Sequence, residues 1–145
     1  MGREAGGELG DRQGHATPAT SRLMLLLDSE ALSALAQGPI GRRDRVRALI
    51  GEMRQRELPV GTVAAVLAEV VRGRKADAGV FAGLRRERIE VHPVDTRVGV
   101  RAGQLLGRTG AGSEMAINAF IVAVADLAGG AVIASVDIDD LRRLA

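Results

Sequence analysis

The chain has 145 residues, no cysteine, and 20 Lys or Arg against 18 Asp or Glu, a formal charge of +2. Its length suits one domain able to bury its own core, and the lack of Cys excludes disulfide scaffolds, thiolate metal sites and cysteine nucleophiles together. No apolar run reaches the ~18 residues of a bilayer span and the N-terminus carries no apolar secretory segment, so a cytoplasmic protein without membrane association is expected.

The basic residues are almost all Arg, and Lys75 is the sole Lys. GC-rich coding bias is the bland explanation. Phosphate binding is the functional one, because a guanidinium pairs with phosphate in a bidentate way. The only aromatic residues are Phe81 and Phe120, which argues against a fold that stacks bases on aromatic platforms. Both Phe are read as core residues.

Residues 1–21 are polar and Gly-rich, without an apolar period, and read as a flexible N-terminal extension. A single folded unit is expected over residues 22–145. The run LMLLL at 23–27 suits a strand buried on both faces and ends at Asp28. SEALSALAQG follows as a helix closed by Gly38. Residues 42–56 place Val46, Leu49, Ile50 and Met53 at helical spacing, with a basic outer face. A second strand is expected at 58–62, with Thr62 capping a helix that ends at Gly73.

Residues 76–86 predict another helix and RIEVHPV at 88–94 a third strand. Asp95 is placed to cap a helix through Leu106. Ser113 is expected to cap the very apolar helix EMAINAFIVAVADLAGG, closed by Gly129 and Gly130. AVIASV at 131–136 gives a fourth strand running into Asp137, and DDLRRLA a terminal helix. Strands alternating with helices predict a parallel sheet covered on both faces.

In such a sheet, ligands gather at the carboxyl ends of the strands. Two strands end alike, in an apolar run followed by an acid, at Asp28 and at Asp137. A helix N-cap explains either Asp taken singly. Glu69 is the only charge between Thr62 and Arg72, and Asn118 the only polar side chain between Met115 and Ala125. A surface Glu and a hydrogen-bonded core Asn are the ordinary readings of these two. Taken together, the four positions suggest one site. Crowded carboxylates repel one another unless a cation is present, and oxygen donors without Cys suit Mg2+ or Mn2+ better than Zn2+.

At these residues the chain resembles the PIN-domain ribonucleases, and within them the VapC-like toxins of bacterial toxin–antitoxin pairs. LLLDSEALSAL is similar to the family's first strand and first acid, at Asp28. PVGTVAAVLAEVVRG resembles the segment of the second acid, at Glu69. VRAGQLLGRTG resembles the stretch before the third acid. INAFIVAVADLAGGAVIASVDIDDLRRLA resembles the last block, where Ser135, Val136 and Asp137 match a Ser/Thr-x-Asp pattern. Where the family usually carries its third Asp, this chain has Asn118.

The resemblance implies a three-layer α/β/α fold on a central parallel sheet of four to five strands, the fifth being an edge strand that relatives commonly add beyond the position of Ala145. It implies an endoribonuclease dependent on Mg2+ or Mn2+, with Asp28, Glu69 and Asp137 holding the ion and Asn118 completing the catalytic set. Ser135 and Glu114 would support them. The implied partners are an RNA substrate, a second copy of the chain in a homodimer, and a VapB-like antitoxin. The amide at 118 implies weakened cleavage. A degenerate PIN domain that only binds antitoxin or RNA is the alternative. A carboxylate-rich phosphotransfer domain fits less well, since no Lys follows a late strand.

Overall fold

The structure, a computed structural model, describes residues 23–134. Four strands, β1 (Leu25–Leu27), β2 (Val60–Val63), β3 (Glu90–His92) and β4 (Val132–Ala134), form one parallel sheet in the order β3-β2-β1-β4. Six α-helices connect them: α1 (Ser29–Gln37), α2 (Ile40–Gln55), α3 (Ala64–Val70), α4 (Asp77–Arg86), α5 (Thr96–Thr109) and α6 (Ala116–Leu127). A 3-10 turn, Ser113–Met115, precedes α6. The expected three-layer α/β/α architecture is what the chain adopts.

The central strand explains its own composition. Leu25, Leu26 and Leu27 are all fully buried, because β1 has a strand on each side and helices on each face. Alternation along the strand sends Leu26 into the core built with Val98, Ala102 and Leu105 of α5 and Ala119, Ile121 and Val122 of α6. Leu25 and Leu27 join Ile50 and Met53 of α2 with Val60 and Ile89 in the other core. Each buried leucine contributes about 1.5–3 kcal/mol relative to exposure.

Close strand packing has a local requirement at Gly61. A Cβ there would lie 2.8 Å from His92 Nε2 and 2.9 Å from the Glu90 carbonyl oxygen, so only glycine lets β2 and β3 approach as they do.

Several boundaries differ from the sequence expectation. The second strand is Val60–Val63, and the helix after it starts directly at Ala64 with Val63 at its N-cap. Thr62 does not cap that helix. Its hydroxyl donates instead to the Leu27 carbonyl at 2.7 Å, fully buried, and ties the carboxyl ends of β1 and β2 together. The helix stops at Val70, short of Gly73. Ser113 lies in the 3-10 turn, and no side chain caps α6. Phe81 is 41% exposed, not core, because Val80 and Gly83 take the inward positions of α4. Phe120 is partly buried against the core, as expected. Asp95 does cap its helix, its Oδ1 accepting from Val98 N–H at 3.0 Å. The expected terminal helix and the extension over 1–21 lie outside the described residues.

Candidate active site

The strand order defines where the sheet's crevice lies. The chain passes from β1 outward to β2 and β3 on one side, then returns to place β4 on the other side of β1. The connections therefore diverge at the carboxyl ends of β1 and β4, the position where open α/β sheets bind their ligands. Leu27 is in register with Ala134, and the Asp28 N–H donates to the Ala134 carbonyl at 3.2 Å. Asp28 thus stands at the switch point itself. Asp137 follows Ala134 by three positions in the sequence and, with Ser135, lies outside the described residues.

Asp28 is 3% exposed. Its Oδ1 accepts the Ala31 N–H at 2.9 Å, which caps α1. The helix-cap reading and the site reading of this residue therefore coexist. The cap fixes the carboxylate's rotamer, and the strand end fixes its location. Burial of a carboxylate at a sheet edge is costly unless it is hydrogen-bonded or paired.

Glu69 is exposed, on the last turn of α3. It lines a polar groove of about 280 Å³ with Ser29, Glu30, Ser33 and Gln37 of α1 and with Arg72 and Arg74. Ser29 is the residue after Asp28, so the groove begins beside the first acid and runs along α1. The fold thus brings the second acid to the helix that the first acid caps.

Asn118 is half-buried in the first turn of α6. That helix packs on both α3 and β2, but Asn118 is not among the residues lining the groove. Glu114 is exposed in the 3-10 turn and does not line it either. Among the described residues no three His, Asp or Glu side chains converge on one cation position. The chemistry of the candidate donors nonetheless fits a hard cation: the Asp28 and Glu69 carboxylates and the Asn118 amide would offer oxygen, and the chain has no Cys to compete.

One acid was missed from the sequence. Asp77, 8% exposed at the start of α4, accepts backbone N–H groups from Arg72 at 3.1 and 3.2 Å, from Gly73 at 2.6 Å and from Arg74 at 3.0 Å. The turn closes with Gly73 at φ 73°. The Arg72 N–H holds the Asp77 carboxyl below the usual carboxylate range. Burial opposes this, while the Arg74 and Gly73 N–H groups and the Arg74 charge add to it. The run RGRK at 72–75 is therefore a fixed turn wrapped around a carboxylate. Its signal was a Gly four residues before an Asp at a helix start. Ser29 and Ser33, one helical turn apart beside Asp28, were equally readable as a polar face.

A parallel α/β/α domain with a buried acid at the switch point of its sheet, and a polar groove opening beside it, is laid out to bind a ligand at that edge. A model of the PIN domain matches residues 25–145, and the chain belongs to the PIN-domain family. No curated protein matches it. PIN domains are in general metal-dependent nucleases, so membership points to nuclease activity in general. No helix among the described residues is long and apolar enough to cross a membrane.

Proposed function

We propose that the chain is a VapC-like toxin, an endoribonuclease dependent on Mg2+ or Mn2+, attenuated by Asn118 in the third acid's position. The observation that carries the reading is Asp28, buried at the switch point, with Glu69 in the groove that starts at the next residue. Asp28, Glu69 and Asp137 would hold the ion, with Asn118 adding a neutral oxygen. Such an ion activates water and offsets negative charge during phosphodiester hydrolysis. The protein's own part is orientation. Asp28 is held by the Ala31 N–H and by the β1–β4 register, and Thr62 ties the end of the strand that carries it to β2. Such fixed donors lose little freedom when a ligand is bound.

Replacing a carboxylate by an amide keeps a ligand oxygen but removes a charge. Two unit charges ~4 Å apart interact by roughly 4 kcal/mol at an effective dielectric of about 20. Even after desolvation offsets much of this, weaker ion binding is expected by one to two orders of magnitude, as a rough estimate. A VapB-like antitoxin is the partner this reading implies, and a homodimer the assembly. Calorimetric titration of Mn2+ into the full chain, Asp28→Asn and Glu69→Gln tests the ligand assignment. Each substitution should weaken binding by roughly one to two orders of magnitude. Unchanged affinity in both removes these residues from the ion site and leaves the degenerate, binding-only PIN domain as the better reading.

A further inference from the structure

We propose that the turn Arg72–Arg74 is a preset phosphate clamp that seats the backbone of single-stranded RNA in the groove beside Glu69, with Asp77 as its positioning residue. The inference deepens the ribonuclease reading and rests on it for the identity of the polymer.

Arg72 and Arg74 both line the groove, as do Ser29 and Ser33. Neither guanidinium is in an ion pair among the described residues. Arg72 spends one donor, Nη1, on the Ala68 carbonyl at 3.1 Å, which steadies the side chain against the end of α3. A guanidinium carries five N–H donors, so recognition capacity remains. Two guanidiniums and two hydroxyls along one polar groove offer the donors that successive phosphates accept.

A flexible basic loop would lose much of this capacity to ordering entropy. Here that cost is met within the fold, because the Asp77 carboxylate gathers the backbone N–H groups of residues 72, 73 and 74. The same three N–H groups form a concavity suited to an anion. Asp77 fills it, so the backbone is not the binding element and the outward guanidiniums are. Glu30 and Glu69 share the groove. Their negative charge opposes a phosphate, so the two guanidiniums must outweigh it. With no Trp or Tyr in the chain, base stacking adds little, and binding is expected to depend steeply on salt.

The test is fluorescence anisotropy of a labelled single-stranded oligoribonucleotide against the full chain in EDTA, across a KCl series. Working in EDTA separates this test from the ribonuclease reading, which stands or falls on metal-dependent cleavage. Three variants are compared: Arg72→Ala with Arg74→Ala, Arg85→Ala with Arg86→Ala as a charge-matched control on α4, and Asp77→Asn. Each neutralised phosphate contact contributes about 0.7 to the logarithmic salt slope for single strands. The Arg72/Arg74 pair should lower that slope by about 1.4 and weaken binding at low salt on the order of tenfold. The control pair should change it far less. Asp77→Asn raises the net charge by one, so simple electrostatics predicts tighter binding. The amide leaves one acceptor oxygen where the carboxylate uses two and sets an NH2 group against the turn's N–H groups, so a loosened clamp binds more weakly, with a reduced slope. Circular dichroism establishes that each variant is folded. Equal effects of the two arginine pairs, tighter binding by Asp77→Asn, or no binding by the unaltered chain at low salt would each overturn the proposal.

Discussion

Asp28 is assigned two duties, and a pair of substitutions separates them. Asp28→Ala removes both the charge and the Oδ1 that accepts the Ala31 N–H at 2.9 Å. Asp28→Asn removes the charge but keeps an oxygen in the same place, and Asn caps helices as well as Asp does. Every interaction that depends on the charge is lost in both and cancels between them. The difference reads the side chain's remaining hydrogen bonds, of which the cap contributes about 1 kcal/mol. For a domain of this size that is roughly 3–6 °C in thermal midpoint. Asp28→Ala should melt lower than Asp28→Asn by that amount without metal. A fixed Mn2+ concentration should raise the midpoint of the unaltered chain more than that of either variant, since an ion that binds only the folded state stabilises it according to its affinity. Differential scanning calorimetry with and without Mn2+ reads both quantities. Equal midpoints would refute the cap, and an undiminished Mn2+ shift in Asp28→Asn would refute the ligand. Relief of carboxylate repulsion alone predicts that Asp28→Ala raises stability; the buried cap makes the opposite sign the expected one.

Asn118→Asp should tighten Mg2+ binding by roughly one to two orders of magnitude, speed RNA cleavage, and lower stability without metal through added carboxylate repulsion. Calorimetry and a cleavage time course check these together, and equal rates in the two forms would remove position 118 from the working set. Asp77 has a depressed pKa in the fold, so its contribution is fully present above the ordinary value of 3.8 and is lost as pH falls through the lower folded value. Below about pH 4 the unaltered chain should lose stability more steeply than Asp77→Asn, read from urea midpoints against pH. Gly61→Ala should cost about 1–3 kcal/mol by forcing β2 from β3 against His92 and the Glu90 carbonyl, measured by chemical denaturation.

The apolar run of β1 and the acid after it were legible because a strand buried on both faces leaves no room for polar residues. The Asp95 cap was legible for a similar reason: a short acceptor before an amphipathic period has few other uses. The second strand was harder. It passes into α3 without a polar cap, so Thr62 looked like the cap when its hydroxyl is a buried tie to Leu27. Phe81 misled because a large aromatic suggests burial, whereas the helical phase of α4 is set by Val80 and Gly83. Pattern placed Asp28 at the carboxyl end of its strand, where the fold holds it, while Asp137 lies outside the described residues. Glu69 owes its place to α3 packing beside α1, a tertiary fact that no local spacing encodes. Asp77 escaped because its partners are backbone N–H groups, which a side-chain pattern does not reveal.

Cleavage of a labelled single-stranded RNA by the full chain tests the central claim most directly. The chain, Asp28→Asn and Glu69→Gln would be assayed in Mn2+ and in EDTA, each in the Asn118 and Asn118→Asp backgrounds. The expected result is slow Mn2+-dependent cleavage by the unaltered chain, faster cleavage with Asn118→Asp, and none with EDTA or with either acid removed. Cleavage that survives both acid substitutions, or that proceeds in EDTA, would contradict a metal-dependent site at the carboxyl end of β1.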